Sequence, residues 1–172
     1  MKHKYQVKWM IVFGLLALNI GCDQVSKNVA RKSLEYYERT EVIGQYFVLT
    51  KIENKGAMLG AFSSLPEDVR FVVLGIVPAI VLLLGLGLLL RQEKTHIIRI
   101  VGFCLVIGGG AGNIIDRLLY GSVTDFMILS TGQWQTGIFN MADVSVMLGT
   151  LLVLVSTFFP KNSLTKASQE LA

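Results

Sequence analysis

Apolar positions along this chain fall into blocks rather than a periodic stripe. Trp9 to Cys22 is 14 residues without a charge, Phe71 to Leu90 is 20, Ile100 to Ile115 is 16 and Val144 to Phe159 is 16. A helix needs about 20 apolar residues to cross about 30 Å of hydrocarbon at about 1.5 Å per residue. Only the second block reaches that length alone. The others abut charge: the first runs into Asp23, the third into Asp116 and Arg117, and the fourth follows Asp143. If these helices span, they carry ionisable groups at the edge of the membrane. Four soluble helices of this kind would have no amphipathic stripe with which to meet water.

The pattern therefore predicts an all-α membrane protein, a single integral domain over residues 1–172 with four transmembrane helices. They are placed at about 9–28, 69–90, 98–117 and 142–160, joined by extracytoplasmic loops at about 29–68 and 118–141. In the first loop, Glu41–Glu53 is β-branched and aromatic and reads as one or two short strands, a small β-containing region. The second loop contains Val123–Leu129 and a Gly/Gln/Thr-rich turn around Thr131–Gly137. Residues from Lys161 onward read as a frayed polar tail.

Composition agrees. Hydrophobic residues make up 52% of the chain and charged residues 16%, against about 25% charged in a soluble domain. Disorder, a disulfide scaffold built on two cysteines, a nucleic-acid-binding domain and a multidomain soluble enzyme are all disfavoured. The net charge of +4 is distributed unevenly. With the N-terminus in the cytoplasm, the inner segments 1–8, 91–99 and 160–172 hold eight basic and two acidic residues, and the outer segments eight basic and ten acidic. That asymmetry puts both termini in the cytoplasm.

Lys2, His3, Lys4 and Lys8, followed by an apolar run and Gly21-Cys22, resemble a lipoprotein signal peptide with cleavage at Cys22. Three further apolar spans, Asn19 where such sites prefer Leu, and the helical continuation Asp23-Gln-Val-Ser-Lys27 favour an uncleaved first helix instead.

Candidate chemistry narrows by elimination. Gly-x-Ser-x-Gly is absent, Cys22 and Cys104 lie on different helices and read as structural, and His3 and His96 fall on the cytoplasmic side. No His/Cys/Glu group has metal spacing, so neither metal nor cofactor is expected. Carboxylates remain: Asp23, Asp116, Asp125 and Asp143 all fall near outer helix ends or in the second loop. Acids at membrane depth mark function or pair with a base. For Asp23 and Asp116 the structural alternative is a salt bridge with Lys27 or Arg117. Asp143 opens the fourth helix with Asn140 three residues before it as an N-cap, and the helix N-terminus favours its ionised form. Asp125 sits in an apolar stretch that should raise its pKa by desolvation. Such a pair can share one proton and activate water for attack on an amide. The alternative is a capping acid and an unrelated loop acid. Asn113 and Arg117 share a helix face at i, i+4. Before them, Gly108-Gly-Gly-Ala-Gly112 permits close approach of a lipid chain or, equally, of another helix.

These residues resemble the lipoprotein signal peptidase (signal peptidase II) family. The resemblance rests on five motifs in order: Asp23-Gln-Val-Ser-Lys27, Asn54-Lys-Gly-Ala-Met-Leu-Gly60, Gly112-Asn-Ile-Ile-Asp-Arg117, Val123-Thr-Asp-Phe126 and Phe139-Asn-Met-Ala-Asp143. It implies an aspartic endopeptidase of the bacterial cytoplasmic (inner) membrane, with its active site facing outward. The enzyme would remove the signal peptide from diacylglyceryl-modified prolipoproteins, cutting just before the lipidated cysteine. The resemblance assigns catalysis to Asp125 and Asp143. It assigns substrate-holding or supporting positions to Asp23, Lys27, Asn54, Gly56, Gly109, Asn113, Arg117, Asn140 and Ala142. It implies membrane lipids as partners, the cyclic peptide globomycin as inhibitor at the same site, a monomer and no nucleic acid. Met58 and Leu59 replace the second Ala and the aromatic of the family's usual Asn-x-Gly-Ala-Ala-Phe/Trp-Gly, which bears on inhibitor fit. A small transporter using the same acids and a catalytically silent, lipoprotein- or globomycin-binding relative are the competing functions.

Overall fold

A computed structural model describes residues 2–57, 60–92 and 95–158. Met58, Leu59, Glu93, Lys94 and the expected polar tail, with Lys161 and Lys166, lie outside them, as do the side chains of Lys2, His3 and Lys4. Four helices are long and apolar enough to cross a membrane. α1 is Lys2–Ser33. α2 is Glu67–Arg91, interrupted by a π turn over Val72–Ile76. α3 is Ile97–Tyr120 and α4 is Met141–Phe158. A three-stranded antiparallel sheet completes the fold, with β1 Thr40–Ile43, β2 Phe47–Asn54 and β3 Val123–Leu129 in the order β1-β2-β3. The expected class, membrane helices plus a small β region, is the class observed.

α1 continues past its expected end near residue 28 to Ser33. The charge at Lys27 does not stop it, because Lys27 pairs with Asp23 one turn back on the same helix at 2.8 Å and both side chains are fully buried. α3 likewise runs a turn beyond Arg117 and ends on Gly121, whose φ of 72° closes the helix through a bond from its N–H to the Arg117 carbonyl. The π turn in α2 precedes Pro78, which has no N–H for the i−4 carbonyl and would clash with it in a regular helix.

The bundle core is Val12, Leu16, Leu89, Ile100, Cys104 and Ile107. Glycine makes the α3–α4 contact close: a Cβ at Gly102 would lie 2.9 Å from the Gly149 carbonyl oxygen. At one end of the bundle the Lys8 ammonium donates to the Leu89 and Gln92 carbonyls that end α2. At the opposite end a second core of Ala30, Phe126 and Met127, flanked by Phe47, Leu49, Phe139 and Val144, seats the sheet on α1 and α4. The candidate residues gather at this end. Cys22 and Cys104 are both free thiols.

Candidate active site

The start of α4 is built by two side chains. Asn140 Oδ1 accepts from the Asp143 N–H and Asp143 Oδ2 accepts from the Asn140 N–H, each at 3.1 Å. These reciprocal bonds satisfy donors that a helix start otherwise leaves unpaired, and they are the cap that the three-residue spacing predicts. Asn140 is fully buried, and its amide donates at 2.6 Å to Asp125 Oδ1. One asparagine therefore holds both carboxylates.

Asp125 comes from β3 and its second partner from β2. In the register, Ile52 faces Asp125 and Asn54 faces Val123. Asn54 is thus two residues along the same sheet face from Asp125's partner, within diagonal reach. Its amide donates to Asp125 Oδ2 at 3.0 Å and to the Ala57 carbonyl at 3.1 Å, while its Oδ1 accepts from the Gly56 N–H at 2.9 Å. Gly56 has no room for a side chain: a Cβ there would lie 2.5–2.7 Å from backbone atoms of Gly60 and Ala61. The other oxygen of Asp143, Oδ1, accepts from Asn113 at 2.9 Å, and Asn113 Oδ1 accepts from Lys27 at 2.8 Å.

Burial is the largest influence on Asp125, which is 2% exposed, and pushes its pKa up to about 6. The neighbouring Asp143 charge adds to the rise. The Asn54 and Asn140 amides and the more distant Lys27 oppose it. The carboxyl has an apolar setting but also two donors, so it is neither a free loop acid nor a fully neutral one.

Behind the two carboxylates lies a buried ionic cluster. Lys27 is 2.8 Å from Asp23 Oδ2 and 3.4 Å from Asp116 Oδ2. Asp23 Oδ1 accepts from the Ala142 N–H at 2.9 Å, which ties α1 to the first turn of α4. Asp23 and Asp116 are thus salt-bridged, as the structural alternative holds, but Arg117 is not their partner. It follows Asp116 by one residue, about 100° around the helix, so the two side chains diverge. Arg117 instead donates to the Gly56 carbonyl at 2.9 Å and more weakly to the Asn113 carbonyl at 3.4 Å, and its Nε is buried without a partner among the described residues. The second cation on Asp116 is Arg31, at 2.9 Å. Arg31 escapes a reading that ends α1 near residue 28. Positions 23, 27 and 31 form an i, i+4, i+8 row, and that spacing is the signal that would have found it.

Gly109 and Ala142 meet each other: a Cβ on Gly109 would lie 2.5 Å from the Ala142 carbonyl oxygen, and Ala142 is fully buried. Gly112 is packed against the Asp23 carboxylate. Helix packing, the plainer reading of this glycine run, accounts for both. A cleft of about 430 Å³ opens beside Asn54, lined by Ile52, Glu53, Asn54, Lys55, Gly60, Ser63 and Ile138.

Known proteins resemble this chain over most of its length. The family described as Signal peptidase (SPase) II matches residues 15–159. A lipoprotein signal peptidase of Mesorhizobium japonicum is 34% identical over 140 residues, covering 81% of this chain and 80% of the relative. One from Azoarcus is 36% identical over 149 residues, covering 85% and 80%. A bacterial membrane enzyme solved at 2.3 Å superposes with a TM-score of 0.76 at 25% identity, covering 88% of this chain and 90% of that one.

Proposed function

The chain belongs to the signal peptidase II family, and from that premise we propose that it is an aspartic endopeptidase with Asp125 and Asp143 as its catalytic pair. Its substrate is a prolipoprotein whose signal-sequence cysteine already carries diacylglyceryl, and it cuts the peptide bond just before that cysteine. The observation that carries the aspartic reading is Asn140, buried and bonded to both carboxylates at the sheet end of a membrane bundle.

In this mechanism one carboxyl of the pair acts as base and the other as acid. The ionised member takes a proton from a water molecule, whose oxygen attacks the carbonyl carbon of the residue preceding the cysteine. The protonated member donates to the carbonyl oxygen, giving a tetrahedral diol. Collapse of the diol breaks the C–N bond, and the departing cysteine amine takes up a proton from the dyad. One water is consumed, and the products are a carboxyl-terminal signal peptide and an amino-terminal lipidated cysteine. Asn54 and Asn113 orient the two carboxylates, one each. Arg117 is a substrate-binding group, because its Nε is a donor with no hydrogen-bond partner among the described residues. Asp23, Lys27, Gly56, Gly109 and Ala142 support the frame.

The charge asymmetry of the loops supports cytoplasmic termini and an outward-facing site in the bacterial inner membrane. A substrate anchored by its own lipid presents its cleavage site at that same boundary. Globomycin inhibits at the site of the Asp125–Asp143 pair, and the enzyme acts as a monomer.

Intact mass of the products from purified protein and a diacylglyceryl-modified prolipoprotein tests the assignment. The new N-terminus should be the lipidated cysteine, and the unmodified precursor should stay uncut. A cut elsewhere, or equal cleavage of both precursors, contradicts it.

A further inference from the structure

Thr124 precedes Asp125 on β3 and is 0% exposed. Successive strand residues point to opposite faces, so Thr124 lies on the face away from the Asn54–Asp125 bond. There it pairs with Glu53, which precedes Asn54 on β2. The Thr124 hydroxyl donates to Glu53 Oε1 at 2.8 Å and accepts from Arg31 Nε at 2.8 Å. Ser122 donates to the other Glu53 oxygen at 2.5 Å. The Thr124 N–H donates to Asp116 Oδ2 at 3.2 Å, the same oxygen that lies 2.9 Å from Arg31 Nη2. That last contact is a charge pair by distance, and the Arg31 N–H directions do not point squarely at the oxygen. The Arg31 guanidinium also sits 4.1 Å from the centre of the Tyr120 ring.

The contacts close a triangle. Arg31 holds the side chain of Thr124, Asp116 holds its backbone, and Arg31 and Asp116 hold each other. We propose that Arg31 and Thr124 are positioning residues that fix the catalytic Asp125 from the reverse face of the sheet. The inference rests on the aspartic reading above. Residue 124 is clamped at backbone and side chain, so the strand cannot rotate about its axis, and rotation is the motion that would swing the Asp125 carboxyl off Asn54 and Asn140. Asp23 does the corresponding work for the second carboxylate by holding the Ala142 N–H. Lys27, between Asp23 and Asp116, joins the two halves. Arginine suits the corner because its guanidinium reaches Thr124 and Asp116 from separate nitrogens, which a lysine ammonium cannot do in the same geometry.

Arg31 and Thr124 meet on the sheet face opposite the Asp125 carboxyl, so loss of the clamp should act on turnover and not on binding. Misplacing a catalytic group by about 1 Å can cost about 100-fold in rate. The test is steady-state cleavage of a diacylglyceryl-modified prolipoprotein by purified wild type, Arg31→Leu, Thr124→Val, Thr124→Ser, the Arg31→Leu/Thr124→Val double variant and Asp125→Asn. Arg31→Leu and Thr124→Val should each lower kcat about 10- to 100-fold, with KM within about twofold of wild type. Thr124→Ser, which keeps the hydroxyl, should recover most of the loss. The double variant should be no slower than the poorer single one, because both break one clamp. If Arg31→Leu does not accumulate, the contrast between Thr124→Val and Thr124→Ser carries the result. Wild-type kcat in Arg31→Leu and Thr124→Val beside an inactive Asp125→Asn overturns the clamp and leaves the aspartic reading standing, as does a multiplicative loss in the double variant. An active Asp125→Asn overturns both.

Discussion

Asn140 concentrates more of the site's geometry than any other residue. Its Oδ1 caps α4, its N–H holds Asp143 and its amide holds Asp125. Asn140→Ala should therefore lower stability by about 1 kcal/mol through the lost cap, seen as a lower melting temperature in detergent, and cut kcat about 100-fold. An intact kcat with a lowered melting temperature would reduce Asn140 to a cap. Asp125 makes a pH prediction. Its folded pKa of about 6 lies above the ordinary carboxylate value of 3.8, so between those values the folded chain binds the proton more tightly than the unfolded one. Its contribution to stability is present below about pH 4 and is lost as pH rises through about 6. Asp125→Asn is neutral at every pH, so its melting temperature relative to wild type should climb between pH 4 and pH 8, by on the order of 1–3 kcal/mol in stability. A difference that stays flat across that range would contradict the burial-driven shift. The cap was legible from the three-residue spacing of Asn140 and Asp143. Arg31 was not, because a charged residue beyond a short apolar block looks like loop until its buried partner is seen.

Elements set the distances among these residues. α3 and α4 touch through Gly102 against Gly149 and through Gly109 against Ala142, where a Cβ would meet backbone oxygen. Gly109→Ala should push the first turn of α4 outward and carry Asp143 with it. The expected result is destabilisation of about 1–3 kcal/mol and a fall in kcat larger than any change in KM, read by detergent melting and cleavage kinetics. Unchanged kcat would show that Asp143 does not depend on this contact. The helices were legible because uncharged blocks of 14 to 20 residues leave few alternatives. The sheet was legible only in its first two strands. β3 is buried from Val123 to Ile128 on both faces, so it lacks the alternation that marks a half-exposed strand. Its partner β2 lies some 70 residues earlier in the chain, and no local signal specifies so distant a pairing.

At the scale of the whole molecule, the candidate chemistry and its support gather at one end of the bundle. The bundle core of Val12, Leu16, Leu89, Ile100, Cys104 and Ile107 is apolar. Both candidate carboxylates, the ionic cluster and the sheet occupy the end opposite Lys8 and the α1 N-terminus. If the termini are cytoplasmic, that end faces outward and meets a substrate whose own lipid holds it at the same surface. In a Cys22→Ser background, a membrane-impermeant maleimide should label Glu38→Cys on intact cells and should label Gln92→Cys only after lysis. The reverse pattern would invert the topology and place the site on the cytoplasmic face.

The central claim is that Asp125 and Asp143 form one catalytic unit. It is tested most directly by single-turnover cleavage of a diacylglyceryl-modified prolipoprotein with Asp125→Asn and Asp143→Asn, each verified as folded by its melting transition. Both variants should lose at least about 1,000-fold in rate, and the double variant should be no slower than either one, because residues acting as a unit are not additive. Wild-type turnover in either folded single variant would contradict the account.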